Sequence, residues 1–116
     1  MRRGDVRLVD FERTQGSEAT GKRRPAVIVS NDGANASTAR FGRGVVTVVP
    51  LTSNVERVHP FQVLLPAEEC GLRLDSKAQA ELVRSVSVER LERRVGTVPP
   101  ELMRRLDDAL RLHLDL

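Results

Sequence analysis

The run Gly44-Val45-Val46-Thr47-Val48-Val49-Pro50-Leu51-Thr52 most narrows what this chain can fold into. Its β-branched side chains are stiff at χ1 and suit a pleated, buried strand better than a helix. Pro50 lacks the N–H of a central ladder, so that end belongs at a sheet edge or a bulge. A strand so apolar needs partners, and three other segments qualify. Asp5 to Phe11 sets Val6, Leu8 and Asp10 on one side and Arg7, Val9 and Phe11 on the other. Pro25 to Ser30 is a short apolar run closed by the turn formers Asn31-Asp32-Gly33, and Phe61 to Leu65 is framed by Pro60 and Pro66. Residues 12–24, with Gly16, Ser17, Thr20 and Gly21, read as an exposed loop ending in Lys22-Arg23-Arg24, and residues 34–40 offer one helical turn. Four short strands separated by turn-rich loops predict a mostly β fold with short helices, a small barrel. At 116 residues the expectation is one domain spanning 1–116 without an internal linker.

The C-terminal third is less uniform. Lys77-Ala78-Gln79-Ala80-Glu81-Leu82 favours helix by propensity, whereas Val83-Arg84-Ser85-Val86-Ser87-Val88 alternates like a strand. Residues 88–92 suit a short helix capped by Ser87, and Val95-Gly96-Thr97-Val98 a last strand. Pro100 then opens a C-terminal α-helix whose Leu102, Leu106, Ala109, Leu110 and His113 recur at helical spacing, which makes His113 a core or interface residue.

Composition removes several kinds of chemistry. Phe11, Phe41 and Phe61 are the only aromatic rings of the Phe, Tyr or Trp type, so a single-strand binder built on an aromatic platform is disfavoured. A lone Cys70, expected to be an inert turn thiol, excludes a disulfide framework and a thiolate metal cluster, and His59 and His113 are too few for a His-rich metal site. No cofactor is expected. Without a long apolar run the chain reads as soluble and cytoplasmic. Of its 19 bases only Lys22 and Lys77 are Lys, and residues 1–24 carry seven bases against four acids, which supplies the whole net charge of +3. Arginine-rich surface is the ordinary product of a GC-rich genome, but it is also what a polyanion would meet first.

Three positions carry candidate chemistry. Arg24 joins the basic loop to a buried strand, with Pro25 fixing the backbone beyond it, and a guanidinium so placed can clamp a phosphate and stabilise charge developing on it. Thr52 offers a hydroxyl where its strand frays into Ser53 and Asn54, groups able to hydrogen-bond phosphate or ribose. Glu18 is the one acid within five residues of the Lys22-Arg23-Arg24 run, a candidate general acid or base. The plainer alternatives are a solvated loop arginine, a turn-forming Thr-Ser-Asn triplet and a surface counter-charge.

Taken together these segments resemble the MazF/PemK family, the toxin half of bacterial toxin–antitoxin pairs. The matching pieces run in order: Arg3-Gly4-Asp5-Val6, Gly16-Ser17-Glu18, Arg24-Pro25-Ala26-Val27-Ile28-Val29-Ser30-Asn31-Asp32, Val48-Val49-Pro50-Leu51-Thr52-Ser53, His59-Pro60-Phe61-Gln62-Val63-Leu64-Leu65 and Arg84-Ser85-Val86. The resemblance implies an SH3-like barrel, a homodimer, a MazE-like antitoxin partner and a metal-independent endoribonuclease. Such an enzyme cuts single-stranded mRNA at short sequences, leaving 2′,3′-cyclic phosphate and 5′-hydroxyl ends. By this resemblance Arg24 matches the family's catalytic arginine and Thr52 its catalytic threonine, and Ser17 and Glu18 match the loop that lies by the RNA, while Lys22, Arg23, Ser53 and Asn54 are the adjoining basic and polar groups expected to bind it. A guanidinium stays protonated, so Arg24 is assigned first to charge stabilisation, with proton donation to the leaving oxygen second, and Glu18 is the base.

The resemblance also reads residues 76–86 as one strand. Within it Leu82 stands where the family often carries a Gln tied to RNA recognition, and Gln79, at an odd offset, would face the other way. Two rival functions remain at this level. One is an SH3-like RNA-binding module without activity; the other is a CcdB-like gyrase poison, although the Trp-bearing tail such poisons use has no counterpart here.

Overall fold

The computed structural model describes residues 1–11 and 23–116. Among them lie seven antiparallel strands: β1 (Asp5–Asp10), β2 (Arg23–Ile28), β3 (Val45–Thr52), β4 (Gln62–Leu65), β5 (Ser76–Gln79), β6 (Arg84–Ser87) and β7 (Leu91–Thr97). Helix α1 (Asp32–Phe41) joins β2 to β3, the single turn α2 (Ala67–Cys70) follows β4, and α3 (Pro100–Leu114) ends the chain. No helix among the described residues is long and apolar enough to cross a membrane.

Strand β3 is the hub. One edge pairs Val48, Val49 and Pro50 with Ile28, Val27 and Ala26 of β2. The other pairs Val45 through Val48 with β6, then Leu51 and Thr52 with β5. Pro50 lies where that outer neighbour changes, the break its missing donor predicts.

The expected closed SH3-like barrel is corrected: the strands form an open sheet in the order β4-β5-β3-β2-β1-β7, with β6 also on β3, and no described ladder joins β4 to β7. The sheet still curls. β6 and β7 are opposite ends of the path β6-β3-β2-β1-β7, yet only Val88 to Arg90, a 3₁₀ turn, separates them in the chain. Four strand spacings in a flat sheet span about 19 Å, and four Cα–Cα steps reach at most about 15 Å. The sheet must therefore bend, and the bend wraps Val9, Ala26, Ile28, Val46, Val48 and Val86 into one buried cluster. The other face packs Val6, Val27, Val49, Leu51, Val63 and Leu65 against Leu102, Met103, Leu106 and Ala109 of α3. Burial on both faces is why β2 and β3 read as continuous apolar runs.

Three further expectations change. The turn formers at Asn31-Asp32-Gly33 start α1: the Ala34 amide donates to Asn31 Oδ1 at 2.8 Å, and Gly42 ends the helix at φ 66°. The single turn expected over 34–40 thus becomes ten residues, anchored by the fully buried Asn35, whose amide nitrogen donates to the Ser30 carbonyl at 2.8 Å. Residues 76–86 are not one strand, because Ala80–Leu82 turn through a 3₁₀ helix between β5 and β6. The face assignment of Gln79 against Leu82 assumed a continuous strand and falls with it. Ser87 makes no cap to the backbone of the 88–90 turn, bonding Glu89 Oε1 at 3.0 Å instead, and the last strand begins at Leu91. His113 is exposed on the last turn of α3, outside the core.

Candidate active site

Strand register assembles the site. β2 and β3 pair Ala26 with Pro50. Carried on by two residues, that register sets Arg24 opposite Thr52, and the period of two sends both side chains to one face. On the other edge of β3, Thr52 pairs with Lys77 of β5. Arg24, Thr52 and Lys77 thus form a row across three strands. Lys77 is nearly buried, with Nζ donating to the Arg57 carbonyl at 2.5 Å, which ties down the segment that leaves β3 after Thr52.

Arg24, Thr52 and Ser53 line one groove of about 510 Å³ at the frayed ends of β2 and β3. Its floor is apolar, with Leu8, Pro25, Leu51, Leu72 and Val95. Arg24 also borders a second hollow of about 310 Å³, shared with Phe11, Pro50, Leu82 and Arg84, where the Arg84 guanidinium lies 5.1 Å from the Phe11 ring centre. The Arg24 side chain is exposed and makes no ion pair or hydrogen bond with any described residue. Thr52 Oγ1 accepts the Asn54 amide at 3.2 Å, an arrangement that leaves its O–H free to donate into the groove.

The other expected residues separate. Arg23 turns away to pair with Glu92 through Nε at 2.7 Å, and Asn54 accepts the Glu56 amide at 3.3 Å without lining the groove. Ser17, Glu18 and Lys22 lie outside the described residues. His59 has a structural setting: its ring stacks on Phe61 at 5.2 Å and its amide donates to Gln62 Oε1 at 3.1 Å, while Gln62 Nε2 donates to Glu81 at 2.6 Å. Cys70 is buried, and burial, with the nearby Glu69 charge second, raises its thiol pKa. Sequence reasoning missed Lys77 and three further groove residues, Arg73, Ser76 and Arg93, which only the approach of the α2–β5 connection to β7 brings together.

A guanidinium with no partner among the described residues, sharing a groove with a hydroxyl donor and carried on strands rather than on loops, is equipped to hold a phosphodiester and stabilise added charge on it. A family model for the PemK-like, MazF-like toxin of type II toxin-antitoxin systems matches residues 2–114. The chain belongs to that family. Similarity to individual MazF-type proteins spans the whole chain. It is 57% identical over 116 residues, 100% of this chain and 98% of the relative, to endoribonuclease MazF9 of Mycobacterium tuberculosis. It is 30% identical to endoribonuclease EndoA of Bacillus subtilis, covering 100% of this chain and 96% of that one. Among solved structures, MazF of Deinococcus radiodurans superimposes with a TM-score of 0.77 at 26% identity, covering 100% and 97% of the two chains. An endoribonuclease from a mycobacterial species in complex with its cognate antitoxin gives 0.75 at 26% identity, covering 100% and 96%.

Proposed function

We propose that this MazF-like chain is a metal-independent endoribonuclease that cuts single-stranded mRNA at a short sequence in the cytoplasm, working as a homodimer of one-domain subunits restrained by a MazE-like antitoxin. The observation that carries this reading is that Arg24, with no side-chain partner among the described residues, and Thr52 line one open groove where β2 and β3 end. The endoribonuclease names of relatives that match end to end support it and disfavour the inert binding module and the gyrase poison.

In the proposed reaction the ribose 2′-oxygen attacks the adjacent phosphorus. The O2′–P bond forms as the P–O5′ bond breaks, so the products are a 2′,3′-cyclic phosphate and a 5′-hydroxyl, and no water or metal-bound hydroxide is consumed. Glu18 takes the 2′-hydroxyl proton, and the leaving 5′-oxygen takes one from the Arg24 guanidinium, which regains it as Glu18 gives its proton up, so the net proton count is unchanged. Arg24 stabilises the extra charge on the non-bridging oxygens, and the Thr52 hydroxyl donates to one of them to fix the phosphate in line. Ser53 contacts the RNA from the groove, and Ser17 and Lys22 do so from the segment that precedes β2, while Arg23 joins them only by leaving Glu92. An acidic antitoxin segment laid over Arg24 would neutralise the same charge the RNA uses.

Purified protein incubated with a long RNA in excess EDTA should yield fragments with cyclic-phosphate and 5′-hydroxyl ends, and Arg24→Ala should abolish them. No cleavage by the wild type, or undiminished cleavage by the variant, overturns the proposal.

A further inference from the structure

The groove holding Arg24 and Thr52 has two more guanidiniums on its rim, Arg73 from the α2–β5 connection and Arg93 from β7. Both are exposed, and neither has an ion pair or hydrogen bond among the described residues. Other arginines nearby are committed: Arg3 to Asp107, Arg23 to Glu92, and Arg94 to Thr97 Oγ1 at 3.2 Å.

The backbone of β7 is irregular beside Arg93. In the β1–β7 ladder Arg7 pairs with Arg94 but Val9 pairs with Leu91, so two residues, Glu92 and Arg93, stand opposite Leu8 alone. That is a β-bulge, a device that re-aims side chains. Its effect follows from parity. Leu91 and Arg93 are two apart, and in an unbroken strand they would share a face. Here Leu91 packs with Val9 in the cluster inside the curled sheet, while Arg93 lines the groove beside Leu8. Without the bulge, Glu92 would stand opposite Val9 and face that cluster. The same bulge holds Glu92, whose carboxylate pairs with Arg23, and Arg24 has no carboxylate partner among the described residues.

We infer that Arg73 and Arg93 form a second phosphate-binding pair, which holds the RNA backbone at a phosphate beyond the scissile one. The inference rests on the endoribonuclease reading of Arg24 and Thr52 and adds a binding subsite to it. Guanidinium forks bind phosphate bidentately, and the groove's apolar lining residues Leu8, Leu51 and Leu72 suit the uncharged base and sugar that separate successive phosphates. Arg73 and Arg93 are therefore placed to bind ground state and transition state alike, acting on KM rather than kcat.

The test compares wild type, R73Q/R93Q and a charge-matched control, R43Q/R104Q, whose exposed arginines lie outside the groove. Each is assayed for cleavage of a long single-stranded RNA and of a minimal oligonucleotide with no phosphate other than the scissile one. On the long RNA, R73Q/R93Q should raise KM roughly 10- to 100-fold with kcat within about twofold. The slope of log affinity against log salt should fall by about 1.4, the value for two lost phosphate contacts on a single strand, and the control should match wild type. On the minimal oligonucleotide all three should be equal. An R73K/R93K variant, keeping charge without the fork, should recover part of the KM. An unchanged KM on long RNA overturns the subsite, as does a kcat loss on both substrates. An unchanged KM combined with weakened capture of an acidic antitoxin peptide would assign the pair to protein recognition and also overturn it. Failure of wild type to cut either RNA instead defeats the underlying endoribonuclease reading.

Discussion

Replacing Arg24 by Gln and Thr52 by Val, singly and together, separates two residues that share one phosphate from two that act independently. The Arg24 guanidinium is exposed and contacts no described partner, so its removal leaves no orphaned charge and stability should change by less than about 0.5 kcal/mol. The same change removes a charged donor from the developing phosphorane, a loss of roughly 10²–10³ in kcat, or about 2.7–4 kcal/mol. Thr52→Val costs the bond from the Asn54 amide, about 0.5–1.5 kcal/mol of stability, and one neutral donor in the reaction, roughly tenfold to a hundredfold in kcat. Independent action would multiply these into a loss of about 10³–10⁵. Both side chains line one groove, and the β2–β3 register continued two residues past Ala26–Pro50 puts them opposite each other, where paired Cβ atoms lie about 5 Å apart, within reach of a single phosphate. Once Arg24 no longer holds that phosphate, Thr52 has little left to orient, and the double variant should fall within about tenfold of Arg24→Gln alone. Single-turnover cleavage of a fluorogenic oligonucleotide gives the rates, and thermal melts confirm the folds. A full multiplicative loss in a folded double variant would refute the reasoning, because it would place the two side chains in separate steps.

Two other predictions concern the scaffold. A Cβ on Gly96 would lie 2.5 Å from the Cys70 carbonyl oxygen and 2.7 Å from Leu72 Cδ2, so Gly96→Ala must push α2 off β7, and melts should show a loss of roughly 1–3 kcal/mol. Burial raises the Cys70 pKa above its ordinary 9.0, so native protein at neutral pH should resist alkylation that unfolded protein undergoes readily. Since the folded state holds that proton longer than the unfolded chain, this residue's contribution is complete below pH 9.0 and declines as pH rises through the folded value, which a melt series should detect.

Strands β1 to β4 and α3 were legible because burial wrote itself into them as alternation, β-branched runs or a helical stripe. α1 was under-read for the opposite reason. It carries no apolar stripe, only the buried Asn35, and its readable marks were the cap residues Asn31 and Gly42. In residues 76–86 the helical propensity of Ala80-Glu81-Leu82 prevailed locally and broke the strand. At the site, Arg24 and Thr52 could be named from their segments, but their juxtaposition depends on a register that no local pattern encodes. Arg73 and Arg93 were invisible because the connection after α2 meets β7 only in the folded chain.

The central claim is that Arg24 and Thr52 hold a phosphate for attack by the RNA's own 2′-oxygen. An RNA oligonucleotide carrying the cleavage sequence with one 2′-deoxyribose, immediately 5′ to the scissile phosphate, tests it most directly. The account predicts that this oligonucleotide binds like its all-ribose parent but is not cut, while the parent is cut to a cyclic phosphate. Cleavage of the substituted oligonucleotide at the same bond would contradict it.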